Sequence, residues 1–415
     1  MCATSEEKLS IIRIYTLGID LFSQLTGTGS RNEQDPESPT TALQGNNRKR
    51  KANAGNEGNR PHLKEDMITR PVCCVEARME AEILWVGFSD VLFSIDGRVE
   101  LRGYSAGSKG AQSLPLHTGA KIVSGFGTED ILGVTDSHGK IWTIDHDNHM
   151  LQIRPQHELS AAFGNSVQQV QILGNDCVAV LHSYGAAVST FESLSTFLSY
   201  SSKRDGPGPV TVKFRHSRKL SFVALRGAES HFVALDSVGN VWTWGTPNLH
   251  GELLQRPQSH LELLRPQIVP ALEGIQMRAI STGGWITAAL SVETRDVYIW
   301  GWLPNGAHIV GMPMQSEVAG LIDQFDENEE LQIESVGVGN GFVVIATSNS
   351  LTHELAVWVA GGSNVYDVFG ERPTENFVKI DRGNKAWGGP KSSELYDIEV
   401  TCGPGCIFVT LVQKS

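Results

Sequence analysis

Long apolar runs are missing from this 415-residue chain. No window reaches about 18 apolar residues, so no membrane-spanning helix is expected. The opening MCATSEEKLSIIRIY sets acids before its apolar run and has no basic leader, so it does not read as a secretory signal. Cysteine is scarce. Cys2, Cys73, Cys74, Cys177, Cys402 and Cys406 show no paired spacing, which fits a reducing compartment rather than a disulfide framework. C-G-P-G-C at 402–406 lacks both the shorter spacing and the second ligand pair of a metal site, so no metal is expected. Convincing helical periodicity is also absent; only 193–202 and 316–325 are expected to form short helices, in connecting loops.

Catalytic patterns are missing as well. No Ser/His arrangement or carboxylate pair emerges, and nothing marks a set of charges or histidines facing a common channel. GFGTED and GVGNGF superficially resemble phosphate loops, but they lack a following helix and a Lys-Ser/Thr pair. The chain is therefore expected to be no enzyme and to need no cofactor. Positive charge is in deficit: the net charge is -12, and phosphate repulsion makes direct DNA binding unexpected. Locally the balance reverses at NNRKRKAN and again across 201–219.

What is present is a repeat. RDVYIWG, ending at Gly301, alternates large residues and stops on glycine. GNVWTWG ends at Gly245, ELAVWVAG at Gly361 and IRIYTLG at Gly18. Weaker copies are GRVELRG to Gly103, GKIWTID to Asp145 and GAAVSTFE to Glu192, which makes seven. The later copies recur about every 50 residues. Each internal copy follows a second apolar run across a turn such as Asp-Ser-Val-Gly, a hairpin signature. A third run opening on glycine lies further upstream, as in VALRGAES and RAISTGGW. Such units cannot bury their faces alone and predict an all-β, seven-bladed β-propeller. The C-terminal YDIEVTCGPGCIFVTLVQ supplies two strands of a blade and IRIYTLG supplies the third. Ring closure is therefore expected to pair an N-terminal strand with C-terminal strands. The propeller is expected to use residues 10–27 plus 70–415 as one domain, with 28–69 as a disordered polar insert.

GAESHFVALDSVGNVWTWGTPNLHGEL and STGGWITAALSVETRDVYIWGWLPNG resemble the regulator-of-chromosome-condensation repeat, the first carrying that repeat's histidine at His231. GRVELRGYSAG and VTCGPGCIFVTLVQKS point, within that family, to its small seven-bladed members. The resemblance implies a nuclear chromatin or mitotic factor that binds a protein partner, such as a JmjC-type oxygenase or a chromatin protein. Guanine nucleotide exchange on a Ran-like small GTPase is the alternative. The family's Gly-Gln-Leu-Gly turns are replaced here by HGEL, NGAH and YDVFG, which weighs against exchange. Nuclear or cytoplasmic localisation follows from the same resemblance.

Trp242, Trp244, Tyr298, Trp300 and Trp358 sit at strand positions and are expected to pack between blades. Trp285, in the Gly-Gly-Trp turn, and Trp302, beyond the repeat glycine, are candidate partner contacts together with Pro304 and Asn305. Arg48, Lys49, Arg50 and Lys51 are a candidate nuclear-import signal. His231 is expected to hydrogen-bond neighbouring backbone.

Overall fold

The computed structural model describes residues 11–19, 67–109, 111–114, 119–145, 148–153, 167–182, 187–200, 210–213, 221–245, 251–255, 259–303, 308–313, 318–325, 330–362, 374–380 and 395–414. They form seven four-stranded antiparallel sheets. Six blades run consecutively, over 81–113, 122–153, 167–213, 222–268, 277–322 and 331–379. The seventh is composite. Its inner strand is Tyr396–Cys402 and its second is Cys406–Gln413. Its third is the N-terminal Ile12–Ile19, and its outer strand is Met67–Ala77. Ile12 pairs with Val412 and Gly18 with Cys406, so the expected ring closure is present. The outer strand begins at Met67, inside the span expected to be an insert; the rest of that insert, with Arg48, Lys49, Arg50 and Lys51, lies outside the described residues.

Burial is distributed as seven wedges, one at each blade boundary. The wedge between blades 5 and 6 joins Ile286, Leu290 and Val297 to Ile333, Val336 and Val343. The wedge that closes the ring joins Ile14, Val75 and Phe408 to Val91 and Phe93, with Phe93 and Phe408 packed edge to face. Trp244 and Trp300 are fully buried. Their indole N–H groups donate across blade boundaries, to Thr190 Oγ1 at 3.0 Å and to the Glu252 carbonyl at 2.9 Å. Trp142 and Trp242 occupy the equivalent position two residues earlier. They donate instead to Asp136 and Asp236, each at 2.9 Å. Each of these carboxylates also accepts two backbone N–H groups of its own hairpin turn, which explains why aspartate opens the turn.

The repeat glycine has a geometric cause. Gly18, Gly103, Gly245, Gly301 and Gly361 all have positive φ where the third strand ends. Each lies against the start of its blade's second strand. A Cβ on Gly301 would sit 2.0 Å from the Trp285 carbonyl oxygen, and one on Gly103 would sit 2.0 Å from that of Ser89. Only glycine meets both demands.

The inner strands of blades 2 to 6 bulge early, at Val123, Gln168, Val223, Arg278 and Glu334. Blade 1 bulges at Leu84. A bulge sharpens local twist, which suits strands crowded around an axis. Of the two expected short helices, Leu194–Tyr200 forms. The span 316–325 does not: its Gly320–Ile322 is the outer strand of blade 5, paired with Val297–Ile299, so sheet pairing overrides a weak helical pattern.

Candidate partner-binding face

The seven inner strands surround a channel of about 1220 Å³. Its wall contradicts the expectation that no charge faces the axis. Glu82, Arg226, Arg278 and Glu399 all line it. Arg226 opens to the channel, yet protein surrounds it; this desolvation lowers its guanidinium pKa, and Glu399 opposes the shift. Desolvation raises the Glu82 carboxyl, countered by Lys121 and reinforced by Glu80 and Glu399. These residues come from different blades, so no local motif announces them.

His231 shows a different outcome from the backbone contact expected of it. Its ring is fully buried, and Nε2 shares hydrogen bonds with Thr287 Oγ1 at 2.6 Å and Thr282 Oγ1 at 3.2 Å, both in the next blade. Desolvation pushes its pKa down to about 3, so the imidazole is neutral at physiological pH. It is a strut between blades 4 and 5. Ser281 and Ser335 play comparable parts, accepting the backbone N–H groups of Val338 and Val400 across the next two boundaries.

The C-G-P-G-C segment is the turn joining the first two strands of blade 7, closed by the Gly403 N–H on the Cys406 carbonyl at 3.0 Å. Cys402 and Cys406 are not joined in a disulfide, and burial holds Cys402 well above the usual thiol range. Among the described residues no group of three or more His, Cys, Asp or Glu is arranged to hold a metal. No helix of the described residues is long and apolar enough to cross a membrane.

The two singled-out tryptophans are brought together. Trp285 tips the first hairpin of blade 5, and Trp302 leaves its third strand immediately after Gly301. Their rings meet edge to face at 5.7 Å, and the Trp302 backbone N–H donates to the Trp285 carbonyl at 3.1 Å. Trp302 keeps 37% of its surface exposed. Pro304 and Asn305, the other two candidates, lie outside the described residues. The pair sits on the face of the disc that carries the turns between first and second strands. On this face the turns are fastened to their neighbours at four of the seven blade boundaries: the Phe88 N–H donates to Glu129, Gly174 to Ala228, Glu229 to Gly284 and Asn340 to Pro404, all through backbone carbonyls.

Seven sheets around an axis, one repeat per sheet and a closing N-terminal strand define a β-propeller. No family model matches the chain. It is 34% identical to mouse RCC1 domain-containing protein 1 over 220 residues, 46% of this chain and 55% of that protein. It is 42% identical to the human protein of the same name over 81 residues, 19% of this chain and 20% of that protein. The fold matches yeast Prp20p over 100% of this chain and 96% of that one, with a TM-score of 0.60 and 15% identity. The chain is thus a seven-bladed β-propeller similar to RCC1-type proteins, and its matched segments span about half or less of the curated relatives' length.

Proposed function

We propose that this chain is a non-enzymatic protein-interaction platform of the RCC1 type, acting as a nuclear chromatin or mitosis-associated factor. The observation that carries this reading is the Trp285–Trp302 pair, held on a face whose turns are mutually hydrogen-bonded. A rigid, partly exposed aromatic loses little conformational freedom on binding, which is the usual profile of an interface anchor. In its sharper form the partner is a JmjC-type oxygenase, in keeping with the sequence resemblance. Residues 48–51 act as an import signal in this reading.

The second reading is exchange on a Ran-like GTPase. It is favoured by the fold's likeness to Prp20p, a protein with binding properties to Gsp1p and histones. Two measurements separate the readings. Affinity capture with the full chain, followed by mass spectrometry, is expected to recover a specific protein; a JmjC-type oxygenase among the captured proteins supports the sharper form, and its absence removes that form. Nucleotide release from a purified Ran-like GTPase is expected to be unchanged by the chain at micromolar concentration. Clear acceleration would install the exchange reading instead.

A further inference from the structure

We infer that the disc face bearing Trp285 and Trp302 docks a Lys/Arg-rich segment of the partner. This rests on the platform reading and names the chemistry of what the platform holds. The aromatic pair is the first observation. Trp302 offers exposed indole surface, which suits an aliphatic-and-cationic side chain: the stem packs on the ring, and the charge is attracted by the ring's electron-rich face.

Charge is the second observation, and it comes from different blades. The seven turns on this face, at 87–89, 128–130, 174–176, 228–230, 284–285, 340–341 and 403–405, contain no Lys or Arg. They contain Glu129, Asp130, Asp176 and Glu229, all exposed and all lining the channel mouth. The corresponding turns on the opposite face, between second and third strands, differ: they carry Lys140 and Arg295 among acids. Glu229 lies beside the aromatic pair, since its N–H donates to the Gly284 carbonyl, one residue before Trp285, and the turn holding Asp176 is tied to that of Glu229 through the Gly174 N–H on the Ala228 carbonyl; Glu129 and Asp130 lie across the mouth. Acids outnumber bases at this mouth even with Arg226 in the wall, and a low-dielectric wall focuses such a net-acidic field and steers an oppositely charged segment. An acidic segment or a nucleic acid meets the same field as repulsion.

The experiment is fluorescence anisotropy with the full chain and two labelled peptides, one alternating Arg and Gly, the other Glu and Gly. Saturable binding of the Arg peptide alone is expected, weakening as salt rises. Trp302→Ala, and separately the double change Asp176→Asn with Glu229→Gln, should each weaken it roughly fivefold or more. Glu354→Gln, on the opposite face, should leave it unchanged. Thermal melts of every variant establish that the ring is intact, and the milder carboxamide changes keep the test valid if Trp302→Ala unfolds. Binding that is absent, or that ignores both sets of changes, would overturn the inference. So would tighter binding after removal of 46–53, because the chain's own basic run would then occupy the face. Failure here with successful affinity capture leaves the platform reading standing and removes only the basic-segment assignment.

Discussion

Two glycines with the same sign of φ should respond very differently to alanine. Gly97 turns the blade 1 hairpin at φ +77°, and a Cβ there meets nothing within 4 Å. Its replacement carries only the backbone penalty of a left-handed L-residue, about 1–2 kcal/mol. Gly301 has φ +107°, and its Cβ would fall 2.0 Å from the Trp285 carbonyl oxygen and 3.1 Å from the Ile286 Cα. The third strand would have to move by about 1 Å, in a close-packed region that does not deform cheaply. Breaking the Trp302 backbone N–H to Trp285 carbonyl bond would add about 1 kcal/mol. Gly301→Ala should therefore cost about 3 kcal/mol or more, at least ~1 kcal/mol beyond Gly97→Ala. Urea unfolding followed by far-UV circular dichroism and tryptophan fluorescence measures both. Equal losses would refute the reasoning, because the repeat glycine would then be needed for its φ alone and not for the approach of the second strand.

Other outcomes follow from the same packing. Ile14→Ala empties a fully buried position in the closing wedge and should cost about 2–5 kcal/mol; an unchanged unfolding midpoint would contradict closure by the N-terminal strand. Deleting residues 8–18 should be more severe, whereas deleting 30–64 should leave the melting temperature unchanged and alter localisation in cells. Trp300→Ala should cost about 3–5 kcal/mol and Trp302→Ala much less, since only the former is wholly buried. His231 has a folded pKa near 3, below the ordinary value of 6.5, so the unfolded chain binds the extra proton between those limits. Its contribution is complete above the ordinary value and is lost as pH falls, by about 1.4 kcal/mol per unit. His231→Gln should flatten that slope in a urea titration across pH 4–7; an unaltered slope would remove His231 as its source.

Legibility in the sequence followed the strength of local constraint. The third strands were readable because two demands coincide there: aromatic residues fill the wedges, as at Trp244 and Trp300, and the terminal glycine admits the second strand. That recurrence gave the blade count and the composite seventh blade. Outer strands were poorly readable because most are short and all pair on one side only. Gly320–Ile322 is three residues long, and Met67–Ala77 runs into polar sequence. The channel charges were invisible because Glu82, Arg226, Arg278 and Glu399 each belong to a different blade and converge only through ring closure. His231 was identified by position, but its threonine partners lie some 50 residues onward in the next blade. Trp285 and Trp302 were visible as out-of-place aromatics. Their mutual contact depends on the turn that follows Gly301.

The platform claim is tested most directly by quantitative affinity capture that compares the wild-type chain with Trp302→Ala, both shown to melt alike. A specific partner recovered with the wild type and depleted with the variant is the predicted result. Equal recovery of the same proteins by both chains, or no specific protein with either, would contradict the account.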